Sequence, residues 1–171
     1  MGNTMTAPRF PRKPRSCGIA LLSAAAVWVA PAPGGPSAAT SAVWVVVDPN
    51  SGLAISGFDP VAYFTDGAPQ QGKGELEQAF AGTVWRFRSE GNRAAFIADP
   101  EVYMPRFGGY DPVGLARGVA VAGNPRLWLI SEQRLYLFYT AETQQEFVND
   151  RDRVIATADS EWPRLQQKLT P

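Results

Sequence analysis

The sequence predicts an α+β fold: a small antiparallel sheet of hairpins, with short helices and a C-terminal helical segment packed on it. Three observations lead there. Two pairs of short runs rich in aromatic and branched side chains are each joined by a few turn-forming residues, "AGT" and "SEQR". A serine followed by glutamate and an alanine-containing run marks a helix start at Ser89. Near the C-terminus, Val154, Ile155, Ala158, Trp162 and Leu165 recur at three- and four-residue steps, one apolar stripe that must pack on something, and the sheet is the largest partner available.

Taken in order, residues 1–42 differ from the rest. Arg9, Arg12, Lys13 and Arg15 precede an uncharged run from Cys17 to Ala30 and then "PAPGGPSAATSA". A cationic region, a short apolar region and a small-residue exit form an export signal, too short in its apolar part for the ~20 residues that span a bilayer. Cleavage is expected near Ala39 or Ala42, leaving residues 43–171 as a single domain, periplasmic or secreted, with no stable membrane anchor. Gly2 and Thr6 fit a myristoylation pattern by chance, "KPRSC" does not suit a lipidated cysteine, and no adjacent arginines offer a twin-arginine signal.

"VWVVV", Val43 to Val47, suits a first strand ended by "DPNSG". Asp59 then caps a short helix with Pro60 at its first position. Leu76 to Phe80 and Val84 to Arg88 form the first hairpin, Trp85 and Phe87 facing the core and Arg88 facing solvent. The helix begun at Ser89 stops at "ADP". "PRFGGYDPVGLARG" reads as irregular and glycine-rich. Leu127 to Ile130 and Leu135 to Tyr139 form the second hairpin, and Thr140 opens the helical tail. No internal repeat is found, and no low-complexity segment beyond the leader.

Charge and composition bound the function. The 171 residues contain 16 Lys+Arg, 16 Asp+Glu, one Cys and no His. Four cations and no acid lie in the first 42 residues, so the remainder holds 12 cations against 16 acids, a formal charge of −4. Net acidity with scattered arginines argues against nucleic acid as a partner. The exported chain has neither thiol nor imidazole, which removes thiol nucleophiles, imidazole bases and the usual soft-metal ligands. No catalytic residue and no cofactor is assigned, and the chain is expected to be a binding protein for an unknown small polar molecule or protein partner.

The site-like stretch is "PRFGGYDPVGLARG". Gly108 and Gly109 allow backbone conformations and close approaches closed to other residues. Arg106, Tyr110 and Asp111 supply a donor fork, an aromatic surface and an acceptor, with Tyr63 as a further wall. The bland alternative pairs Arg106 with Asp111 and leaves the glycines only to turn the chain. Trp85, Trp128 and Trp162 are expected in the core, Trp44 in a frayed strand. A second function class binds a hard cation through loop carboxylates, Asp59 and Asp111 foremost; a third is a carboxylate-based hydrolase.

"FRSEGNRAAFIADPEVY", with "GFDPVAYF", "FGGYDPVGLARG" and "ADSEWP", resembles the YHS domain family, in particular its longer exported members, over about Gly57 to Leu165. The resemblance implies a metal connection, but the ligand positions it offers hold Ala62, Phe64, Arg88, Asn92 and Asp111, none able to bind a thiophilic ion. The expectation is a YHS-like accessory domain without the metal.

Overall fold

The computed structural model describes residues 44–169. The expected export segment, its cleavage point and Cys17 lie outside the described residues. The elements are a 3-10 turn at Ile55–Gly57, α1 (Ala62–Thr65), β1 (Lys73–Phe80), β2 (Thr83–Phe87), α2 (Glu90–Ala98) and α3 (Pro100–Tyr103). A second 3-10 turn follows at Arg106–Gly109, then α4 (Pro112–Ala116), β3 (Asn124–Ser131), β4 (Arg134–Phe138), α5 (Ala141–Asn149) and α6 (Arg151–Leu169). The fold is α+β, with two antiparallel hairpins that each form their own two-stranded sheet.

That order is one unit built twice, which corrects the expectation of no internal repeat. Gly57-Phe58-Asp59-Pro60-Val61 and Gly109-Tyr110-Asp111-Pro112-Val113 open the two halves. Asp59 N–H donates to the Gln70 carbonyl at 2.8 Å, and Asp111 N–H to that of Val121 at 2.9 Å. Each hairpin carries a bulge after its first pair, Lys73 with Phe87 and Asn124 with Phe138. Each turns through two consecutive left-handed residues, Ala81-Gly82 and Glu132-Gln133, the geometry that matches the twist of paired strands. Gly72 and Gly123 occupy equivalent crossings: a Cβ would lie 2.5 Å from the Arg86 backbone in the first half and 2.6 Å from Leu137 Cβ in the second. The repeat is hard to see in the chain because, beyond the DPV core, the halves share burial and spacing more than residue identity.

The caps form as their residues dictate. Ser89 Oγ accepts from Asn92 N–H, and Thr140 forms a reciprocal box with Thr143. Trp85 and Phe87 are fully buried, Trp85 donating its indole N–H to the Phe80 carbonyl. Alternation along β4 divides the core: Leu135 and Leu137 pack with Trp85, Phe87 and Phe96, whereas Tyr136 and Phe138 face Phe147 and α6.

Three expectations change. Residues 44–46 form no strand; the segment is held by a bridge between Val47 and Ala54 and by Val46 N–H donating to the Gly108 carbonyl. "DPVGLA" is not irregular but the helix α4, capped by Asp111. The stripe of Val154, Ala158 and Leu165 seats on α4 as well as on the second hairpin, sharing a core with Val113, Leu115, Tyr136 and Phe138. Among the described residues no helix is long and apolar enough to cross a membrane.

Candidate functional site

The residues singled out from the sequence separate into two groups with different environments. Asp59, Asp111, Tyr63 and Gly109 are structural, while Arg106 and Gly108 line an open groove.

Asp59 and Asp111 are buried, at 0% and 1% exposure, and each anchors its half. One oxygen of Asp111 accepts from Val113 N–H at 2.8 Å and Gly114 N–H at 3.3 Å; the other accepts from Tyr139 N–H at 2.8 Å and Thr143 Oγ1 at 2.6 Å. Asp59 repeats the pattern with Val61 and Ala62 N–H on one oxygen and Arg88 N–H and Asn92 Nδ2 on the other. A carboxylate offers about four lone-pair sites, and four donors fill them. A hard cation at either aspartate would have to displace those donors. Ala62, Arg88 and Asn92, three of the positions that stand where the family resemblance puts soft ligands, all meet at Asp59. Among the described residues, no three His, Cys, Asp or Glu side chains converge.

Tyr63 is 1% exposed and donates its hydroxyl to the Pro125 carbonyl at 2.8 Å, its ring edge-on to Trp128. Burial pushes its phenol well above the ordinary tyrosine range. Tyr63 belongs to the contact between the halves and lines neither of the two hollows described below. Gly109 is buried among Ile55, Leu137 and Pro105. Tyr110 is half-buried against Trp162, with ring centroids 5.6 Å apart.

Arg106 does not pair with Asp111. Its guanidinium donates to Asp159 on α6 at 2.6 Å and lies over the Phe107 ring. Arg88 faces solvent, as expected, and also pairs with Asp66. Gly108, at φ +64°, lies under the Trp44 carbonyl: a Cβ there would fall 1.5 Å from that oxygen. The glycine therefore lets the 44–47 segment cross the second 3-10 turn and brings the Trp44 indole to its edge.

The result is a groove of about 310 Å³ between the end of α3, the second 3-10 turn, the start of β4 and α6. Trp44, Met104, Phe107 and Trp162 give it apolar walls; Arg106, Arg134, Glu101 and Asp159 give it charge. Arg134 donates one terminal N–H to the Glu101 carbonyl at 2.7 Å, but its Nε–H is buried without an acceptor among the described residues. Tyr136, 3% exposed, stands behind the groove, its phenol held up by burial and drawn back by the fields of Arg106 and Arg134.

A larger hollow of about 450 Å³ lies between β3 and the junction of α5 and α6, lined by Ser131, Asp150, Arg151 and Asp152 among others. Its cation is already engaged, since Arg151 contacts Asp152, Glu132 and Ser131. The smaller groove is the stronger site because one of its two cations, Arg134, keeps a donor without an acceptor among the described residues.

Trp44, Arg134 and Trp162 are absent from the sequence-derived site. The repeat holds the signal that could have found Arg134. Counting along the two halves, Arg106, Arg134 and Tyr136 occupy the places of Ala54, Thr83 and Trp85. The same backbone is made in the first half without a cation at either arginine position, so the fold does not require the two arginines, whereas Tyr136, like Trp85, belongs to the core. No protein-family model matches the chain, and no curated protein or solved structure matches it.

Proposed function

We propose that the protein is an exported, non-catalytic, YHS-like binding domain whose ligand seat is the groove lined by Trp44, Arg106, Arg134 and Trp162. The observation that carries this reading is the asymmetry between the duplicated halves. Two positions that are Ala54 and Thr83 in one copy are Arg106 and Arg134 in the other, and both line one concavity. Concave sites with aromatic walls and a few convergent polar groups are the usual form of a small-molecule seat. Of the residues expected from the sequence, Arg106 and Gly108 remain in the site, Tyr110 supports it through Trp162, and Tyr63, Gly109 and Asp111 belong to the frame.

A thermal-shift screen of the purified protein against ions and small metabolites tests the proposal, followed by titration of each hit against Arg106→Ala and Trp162→Ala. Binding that weakens in both variants supports the groove. Hits that bind equally well to both variants would place the ligand elsewhere.

A further inference from the structure

We infer that the groove selects a carboxylate carried on a flat apolar body, such as a small aromatic or aliphatic organic acid. The inference rests on the groove being a ligand seat and adds the chemical class of its occupant.

The donors are in excess on one side. Arg134 has given one N–H to a carbonyl and its Nε–H to nothing. That Nε–H is itself closed off, so an oxyanion in the groove would meet the part of the Arg134 guanidinium that lines it, with a small turn of the side chain bringing Nε–H to bear. Hydrogen bonds between two charged groups are the short, strong ones that offset such a turn. Arg106 stands in the same groove on a single pairing with Asp159, and the Tyr136 hydroxyl lies in the field of both arginines. Each guanidinium presents a planar fork, the partner geometry of a carboxylate.

The rest of the lining sets charge and shape. Glu101 and Asp159 also border the groove, so its two cations face two anions. A dianionic phosphate would meet those acids at close quarters, whereas a single negative charge can settle on Arg134 without displacing them. Beyond the charged end, Trp44, Met104, Phe107 and Trp162 form a mostly apolar wall that includes one amide side chain, Gln166, and Trp162 is fixed edge-on against Phe107. A slot between indole and thioether walls suits a flat hydrocarbon surface.

Isothermal titration of the purified protein with phenylacetate, phenylacetamide, phenethylamine and phenyl phosphate tests the assignment. Phenylacetate should bind at least about tenfold tighter than phenylacetamide, the loss expected when a charged hydrogen-bond partner becomes neutral. Arg134→Gln and Arg106→Gln should each remove most of that preference while leaving the weak binding of phenylacetamide unchanged. The second variant serves as the test if the first does not fold, as judged by its thermal midpoint. Equal binding of acid and amide, both lost in Trp162→Ala, would keep the groove as a seat and overturn its selectivity for an anion. Tighter binding of phenyl phosphate or phenethylamine than of phenylacetate would overturn the carboxylate assignment. No binding by any of the four, or binding indifferent to Trp162→Ala, would overturn the groove itself.

Discussion

Replacing Asp111 by Asn changes one oxygen to a nitrogen, and the structure sets what that costs. The side chain is 1% exposed and accepts four hydrogen bonds, from Val113 N–H, Gly114 N–H, Tyr139 N–H and Thr143 Oγ1. In the Asp111→Asn variant the amide oxygen can keep one pair of donors, while the amide nitrogen turns two hydrogens toward the other pair. Keeping the oxygen on Tyr139 and Thr143 forfeits the cap of α4, worth about 1 kcal/mol. Keeping it on the cap leaves the Tyr139 N–H unsatisfied, at about 1–3 kcal/mol, while the Thr143 hydroxyl can turn to the Thr140 carbonyl at 3.0 Å. Loss of the negative charge weakens whichever bonds remain. The side chain takes the cheaper arrangement, so with the weakened bonds the expected destabilisation is about 2–3 kcal/mol, a sizeable part of the ~5–15 kcal/mol that holds a domain of this size. Urea denaturation followed by tryptophan fluorescence measures it as a fall in midpoint at constant slope. Asp59→Asn should cost a similar amount, because Asp59 repeats the pattern donor for donor. A loss below about 1 kcal/mol, or a binding defect with stability intact, would refute the structural role of the aspartates and restore Asp111 to the ligand site.

Other consequences follow from the same geometry. Gly108→Ala places a Cβ against the Trp44 carbonyl at a left-handed φ, and should destabilise by at least about 2 kcal/mol in urea while releasing the Val46 to Gly108 hydrogen bond to amide exchange. Gly72→Ala and Gly123→Ala should each cost about 1–3 kcal/mol, because both crossings are closed to a Cβ. Tyr63, Tyr110 and Tyr136 have phenols raised above 10.0 in the folded state by burial. Their contribution is complete below the unfolded value and is lost as pH rises through the folded values, so thermal stability should fall progressively as pH rises past about 10, and Tyr63 should ionise after the others in an ultraviolet titration. Asp159→Asn removes the partner of Arg106 and should tighten phenylacetate binding several-fold by calorimetry; unchanged or weaker binding would argue that Arg106 does not meet the anion.

Much of the frame was legible in the chain because local chemistry decided it. Both hairpins, the caps at Ser89 and Thr140, and the inward face of Trp85 and Phe87 follow from turn residues, short polar side chains and two-residue alternation. The duplication was not legible. Its halves share four of five consecutive positions around DPV, and elsewhere the match is mostly between buried and exposed positions rather than identical residues, as in Trp85 with Tyr136 or Asn92 with Thr143. The candidate site was half legible for a related reason. A glycine-rich loop signals close approach of backbone, and Gly108 does make one, but to Trp44 from the start of the domain rather than to a ligand. Arg106 lines a groove, but its partner, Asp159, is 53 residues away on a helix whose docking no local pattern fixes. Arg134 sits at an ordinary hairpin corner and becomes distinctive only when its counterpart, Thr83, is set beside it.

Nuclear magnetic resonance of the tryptophan indole N–H groups offers the most direct test, because the tryptophans sort by role. Trp44 and Trp162 line the groove, whereas Trp85 is buried with its N–H on the Phe80 carbonyl and Trp128 packs on Tyr63. On titration with phenylacetate, the Trp44 and Trp162 signals should move in a saturable way while those of Trp85 and Trp128 stay in place, and Arg134→Gln should abolish the movement. Saturable shifts confined to Trp128, or a titration in which none of the four moves, would contradict the account.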